Sequence, residues 1–218
     1  FLGDWVQRLA DLEGVARTRT RVVMRVFGES ERWRVHTLSD ADESVLAEHR
    51  PEHRPLAHEP DEMDLKLIAA LAQDGRRSAV DLATASGLSA PTVRRRLTAL
   101  VAERVLSIRC EVSHVISGWP VTANVWARAS SRSISALVDA LDELPQVRVC
   151  CEVTGTANIL MAVWLHTVGE LSEFEQQLES RVPGLVVADR SVTLETPKRL
   201  GSLLDRSGCR TGSVPVVL

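Results

Sequence analysis

Between Asp61 and Arg109 the chain carries signals for three helices, each too short to be stable alone, with little chain between them. Asp61 is placed to cap a helix whose apolar positions are Met63, Leu65, Leu67, Ile68 and Leu71, and Asp74-Gly75 ends it. Ser78 opens a second helix carrying Val80, Leu82, Ala83 and Ala85, which stops at Gly87. Leu88 then packs and Ser89 caps a third helix. Pro91 lies in its first turn, where a missing N–H costs nothing. This helix runs to about Glu103 and buries Val93, Leu97, Leu100 and Val101. A short turn containing glycine between the second and third helices is the requirement of a helix-turn-helix.

The exposed side of the third helix indicates a partner. At about 100° per residue, Val93, Leu97 and Leu100 set the core direction. Pro91, Arg95 and Thr98 then face away, with Arg94 and Arg96 on the flanks. Arg76 and Arg77 join them, and from Gly75 to Arg109 seven arginines stand against Asp81 and Glu103, a local charge of +5 in a chain whose total is −3. An arginine fork matches both guanine O6/N7 and a phosphate, so such a surface suits double-stranded DNA.

Flanking segments supply the remaining architecture. Residues 38–60 shift to Asp, Glu, His and Pro and read as a linker, with a short amphipathic helix over 40–49; His49, His53 and His58 read as part of a solvated connector. After a strand over 105–112, Gly118-Trp119-Pro120 marks a turn. Strand 121–129, helix 133–144, strand 146–154, strand 158–166, helix 169–181 and strand 186–194 then follow. The inward positions of the first of these helices are Ile134, Leu137, Val138 and Leu141. The order βαββαβ is the ferredoxin-like split unit, an antiparallel sheet with two helices on one face. Both faces of strand 158–166 are apolar, which a second copy packed on the open face would explain, so a dimer is expected.

Residues 2–12 carry Leu2, Trp5, Val6, Leu9 and Leu12 at helical spacing, followed by Gly14 and a strand-like run from Val15 to Phe27. The same order recurs at 168–196, where Leu171, Phe174, Leu178, Gly184, Val192 and Leu194 match Leu2, Trp5, Leu9, Gly14, Val22 and Met24 with one inserted residue. By this repeat residues 1–36 read as the closing helix and strand of another βαββαβ unit, with the chain beginning inside it, and half of such a unit cannot bury its own helix. The expected division is therefore 1–36, linker 37–60, DNA-binding domain 61–112, sensing domain 113–200 and a flexible tail 201–218. The expected fold class is α+β: a helix-turn-helix domain plus a ferredoxin-like βαββαβ domain, preceded by part of a second such domain.

Several classes are disfavoured. No apolar run reaches the roughly 18 residues of a membrane span and no leader pattern opens the chain, so a cytoplasmic location without membrane contact is expected. Cys110, Cys150, Cys151 and Cys209 lack C-x-x-C spacing, so neither metal nor cofactor is expected. An enzyme of amino-acid metabolism would need a nucleophile and base in reach. Cys150 or Cys151 with Glu152, and His166 with Glu170, have neither triad nor metal-ligand spacing, and His114 stands alone.

These residues taken together resemble the Lrp/AsnC family of bacterial and archaeal transcription factors, over about residues 61–200. The resemblance is carried by Asp64, Leu67, Leu71, Asp74-Gly75-Arg76, Leu82-Ala83, Gly87-Leu88-Ser89, the run Thr92 to Leu97, Leu100, Gly118 and the turn Thr154-Gly155-Thr156-Ala157-Asn158. It implies a winged helix-turn-helix joined to an effector-sensing βαββαβ domain, with DNA contacts from Ser89, Thr92, Arg94, Arg95 and Arg96; Arg76, Arg77, Pro91 and Thr98 of the exposed basic surface join them as candidates. It also implies homo-oligomers and a small-molecule effector, commonly an amino acid, near Thr154, Gly155, Thr156 and Asn158. Many members carry Asp at the last position, and an amide offers no charge to an amino group. Two other readings stand beside this one: a DNA-binding assembly module that senses nothing, and the enzyme above.

Overall fold

The computed structural model describes residues 2–28, 44–45, 55, 59–108 and 110–214. They form two compact units. One comprises the described residues of 1–34 with 119–193, and the other those of 35–118 with 194–218. The helix expected over 40–49 falls outside the described residues except at 44–45, as do His49, His53, His58 and Arg109.

In the first unit the chain runs α1 (Leu2–Ala10), β1 (Val23–Gly28), then β2 (Val121–Arg128), α5 (Ser131–Ala140), a 3-10 turn (Leu141–Glu143), β3 (Val147–Val153), β4 (Ile159–Leu165), α6 (Glu170–Arg181) and β5 (Val186–Thr193). Labels α2 to α4 belong to the other unit. The strand order is β1-β3-β4-β2-β5, with every pairing antiparallel. Period-two alternation decides which side chains meet the helices. Ala123, Val125 and Ala127 of β2 and Ile159, Met161, Val163 and Leu165 of β4 form one core with Ile134 and Leu137 of α5 and Leu171, Phe174 and Leu178 of α6. Helix α5 opens at Ser130, whose hydroxyl accepts from the Ser133 N–H at 3.2 Å. It ends four residues short of the expected 144, and Val138, expected inward, is exposed.

On the opposite sheet face Trp164 is buried, with the Arg148 guanidinium 4.0 Å from its ring centroid. Trp126 lies beneath the Arg21 guanidinium at 3.9 Å.

The N-terminal strand joins this same sheet. Strand β1 adds to the outer edge of β3, with Val23 opposite Val153 and Val26 opposite Cys151, and Arg25 Nε bonds Glu152 Oε2 at 2.7 Å. It begins at Val23, later than the expected 15. Gly14 and Gly184 both adopt left-handed φ, +87° and +81°, so the repeat of helix, glycine and strand holds in backbone conformation as well as in sequence. Both edges of the sheet are thus strands that follow such a helix. Helix α1 leaves Leu9 exposed, and Leu12 just beyond its end is exposed too.

In the second unit, α2 (Glu62–Gln73), α3 (Ala79–Ser86) and α4 (Ala90–Ala102) close around Leu67, Leu71, Leu82 and Val93, with Leu88, Leu97 and Leu106 packed against them. Two sequence expectations are corrected here. The segment 105–112 forms no strand over its described residues, because the chain folds back on α4: Val105 and Leu106 both donate to Leu100 O. The tail expected to be flexible from 201 onward instead contributes strands. Lys198–Arg199 (β6), Ser202–Leu204 (β7) and Arg210–Ser213 (β8) form an antiparallel sheet in the order β6-β7-β8. Its first turn is the two-residue loop Leu200-Gly201, both at positive φ (+48° and +82°), which matches the twist of a tight hairpin.

Candidate nucleic-acid interface

Local chemistry builds the interface helix. Ser89 is extended, and its hydroxyl accepts from the Thr92 N–H at 3.3 Å. The Ser89 and Thr92 hydroxyls lie 2.8 Å apart, so both side chains are spent on starting α4. Gly87 closes α3 in the left-handed region at φ +74°, which lets the chain reverse in three residues. Capping boxes at Asp61 with Asp64 and at Ser78 with Asp81 fix the starts of α2 and α3. The Asp81 carboxyl sits below its ordinary value, chiefly through the Ser78 side-chain and backbone bonds.

On this frame Arg94, Arg95, Pro91, Thr98 and Arg76 are exposed, while Thr92 and Arg77 are half-buried. Arg94 and Arg95 have no carboxylate partner among the described residues, so their guanidinium groups are available to a polyanion. Val93 and Leu100 fill the core on the opposite side, as the helical wheel requires.

Arg96 departs from the expected outward set. Its guanidinium bonds Asp64 Oδ1 at 2.8 Å and Asp61 Oδ2 at 2.9 Å, tying α4 to the first turn of α2. Asp64 is only 2% exposed. The wheel placed Arg96 on a flank, where it could turn either way, and the two carboxylates 32 and 35 residues earlier decide the direction. Asp61 is held below the usual carboxylate range, first by the Asp64 backbone N–H and then by Arg96, whose own pKa is raised chiefly by its bond to Asp64. Arg96 therefore braces the helix against α2. Sequence periodicity had no means of finding its partners.

The turn after β3 in the first unit is already internally bonded. Thr154 N donates to Val22 O at 2.9 Å, and Thr154 Oγ1 accepts from Val22 N–H at 2.9 Å. Gly155 has φ +120°, and a Cβ there would lie 3.5 Å from Arg21 Nε. Asn158 spans to the end of β2: its Oδ1 accepts from Ala129 N–H at 2.9 Å and its Nδ2 donates to Ala129 O at 3.0 Å. Of the four turn residues singled out in the sequence, Gly155 and Thr156 are exposed, whereas Thr154 and Asn158 fasten the backbone. Burial, and after it Cys151, pushes the Cys150 thiol up to about 12, so it stays protonated at neutral pH. His166 and Glu170, the other pair considered for catalysis, do meet, at 3.1 Å on the surface.

Residues 61–101 match the AsnC-type helix-turn-helix domain and residues 122–203 the Lrp/AsnC ligand binding domain. An uncharacterized helix-turn-helix-type transcriptional regulator of Pyrococcus horikoshii is 26% identical over 141 residues, covering 64% of this chain and 89% of its own. The Bkd operon transcriptional regulator of Pseudomonas aeruginosa is 28% identical over 131 residues, covering 58% and 86%. Among solved structures, a transcriptional regulator of Neisseria meningitidis in complex with L-methionine superposes with a TM-score of 0.57 at 22% identity, covering 64% of this chain and 92% of that one. The leucine response regulatory protein of Mycobacterium tuberculosis does so at 0.56 and 22%, covering 64% and 96%. With both domains present in one chain and in this order, the protein belongs to the Lrp/AsnC family of helix-turn-helix transcriptional regulators.

Proposed function

We propose that α4 enters the major groove of double-stranded DNA, with Arg94, Arg95 and Thr98 at base edges and phosphates. The N-terminal turn of α4, shaped by Ser89, Pro91 and Thr92, and the Arg76-Arg77 loop then lie against the backbone. The observation that carries this reading is the pair of exposed arginines without carboxylate partners among the described residues, on a helix whose other side is locked into the core. Two copies acting together would present two such helices to successive grooves roughly 34 to 36 Å apart. The twofold apolar character of β4 supports the pairing. In this role the chain works without catalysis or cofactor, in the cytoplasm. No helix among the described residues is long and apolar enough to cross a membrane.

Arg95→Ala is expected to weaken binding to a specific operator by about 1 to 3 kcal/mol if it reads a base, and to weaken all sequences alike if it holds a phosphate. Competition between operator and random duplex at two salt concentrations distinguishes the two. Unchanged affinity for both would remove Arg95 from the interface.

For the sensing unit we propose a small amino-acid-like effector at the turn 154–158. Support comes from the L-methionine bound in the Neisseria relative and in a Mycobacterium tuberculosis feast or famine regulatory protein. One observation favours the alternative of an assembly module without a ligand: Thr154 and Asn158 are already bonded within the chain. A thermal-shift screen across amino acids separates these readings, since a ligand at 100 times its Kd stabilises by about 2.7 kcal/mol. A flat screen would favour assembly alone.

A further inference from the structure

The small sheet β6-β7-β8 belongs to the helix-turn-helix unit, although its strands come from the end of the chain. It is strongly cationic: across 198–214, Lys198, Arg199, Arg206 and Arg210 stand against Asp205 alone, a net +3. Two of these cations fix the sheet in place. Arg199 pairs with Glu111 at 3.5 Å, and Arg210 donates to the Gln73 carbonyl at the C-terminal end of α2. That anchor lies immediately before Asp74-Gly75-Arg76-Arg77, so the sheet is attached beside the basic loop. The other two cations point outward. Lys198 is exposed, and the Arg206 side chain is 95% exposed, with its Nε 3.9 Å from Glu195.

The loop that carries Arg206 is preorganised. Asp205 Oδ1 accepts from Ser207 N–H at 2.9 Å, Ser207 Oγ at 2.7 Å and Cys209 N–H at 2.9 Å. Gly208 sits at φ +74°, and a Cβ there would come within 2.9 Å of Ser113 Oγ, so the loop is seated closely on the segment after α4. Ser113 Oγ also donates to Ser207 O. An exposed arginine on a rigid hairpin loses less freedom on meeting a phosphate than one on a loose tail.

We propose that β6-β7-β8 is a second DNA-contacting element, a wing that grips the phosphate backbone through Lys198 and Arg206 while α4 reads the groove. It replaces the strand expected over 105–112 with one drawn from the far end of the chain. DNA is the partner because the unit is a helix-turn-helix, and because an outward cationic hairpin beside a basic loop complements a continuous row of phosphates.

The test uses the full chain and a 30-base-pair random-sequence duplex, followed by fluorescence anisotropy in potassium chloride. The double variant Lys198→Ala, Arg206→Ala changes only exposed side chains. The slope of log K against log salt is expected to fall by about 1.8, roughly 0.9 for each phosphate no longer neutralised, with weaker binding at low salt. Glu195→Gln, which removes the carboxylate nearest Arg206, is expected to strengthen binding. An unchanged slope and affinity in the double variant would overturn the wing. If Arg95→Ala weakens binding at the same time, the role assigned to α4 stands without it.

Discussion

Replacing Arg96 with alanine destabilises the helix-turn-helix unit by about 2 to 3 kcal/mol and weakens binding to every DNA sequence alike. The brace joins α4 to the cap of α2, and its inner carboxylate, Asp64, is 2% exposed. Breaking a buried pair by removing one partner costs about 3 to 5 kcal/mol, because the remaining charge is left uncompensated. The Arg96 side chain is 27% exposed and Asp61 more so, so solvent screens part of that cost. Urea unfolding followed by circular dichroism measures the loss, and a change below about 0.5 kcal/mol, the range of ordinary surface substitutions, would show that the brace is ornamental. Arg96→Lys keeps the charge but loses the planar fork that serves two carboxylates, so it should recover only part of the stability.

The pH dependence has a definite sign. Asp61 has a folded pKa below its ordinary 3.8, so its contribution is fully present above that value and is lost as pH falls below it. The penalty of Arg96→Ala therefore persists through neutral pH and shrinks in acid.

Phe174→Ala should cost the sensing unit about 3 to 5 kcal/mol, the range for truncating a large aromatic in a packed core. Phe174 is 1% exposed on α6, among Leu171, Leu178 and the inward residues of β2 and β4. Few neighbours can collapse into the space, because the sheet beneath is held by continuous pairing of β2 with β4 from Val121–Leu165 to Ala127–Ile159. Denaturant unfolding of the variant against the natural chain is the measurement. A loss under about 1 kcal/mol would mean that α6 does not rest on this sheet face.

The three helix starts were legible because an N-cap is a contact between residues three apart: Asp61, Ser78 and Ser89 all cap as their spacing predicts. Strands β2 to β5 were legible within a few residues for the same reason, since alternation is written into neighbouring positions. The cationic face of α4 followed from the wheel at Arg94 and Arg95. The same wheel put Arg96 on a flank but left its direction open, because a flank residue goes wherever a partner lies. The turn 154–158 was visible as a glycine turn, but not its bonding: the partners of Thr154 and Asn158 are Val22 and Ala129, which are 132 and 29 residues away.

By itself, then, the sequence determined the capped helices, the alternating strands, the basic surface of the third helix and through them the family. Tertiary structure alone decided that Val23–Gly28 lies on β3, that Arg96 turns inward, and that residues 198–213 form a sheet in the helix-turn-helix unit. The physical reason is range. Capping and periodicity act over three or four residues and are written in the order of amino acids. Strand-edge pairing and charge pairing instead choose among partners tens to more than a hundred positions distant, and only the folded chain brings those together.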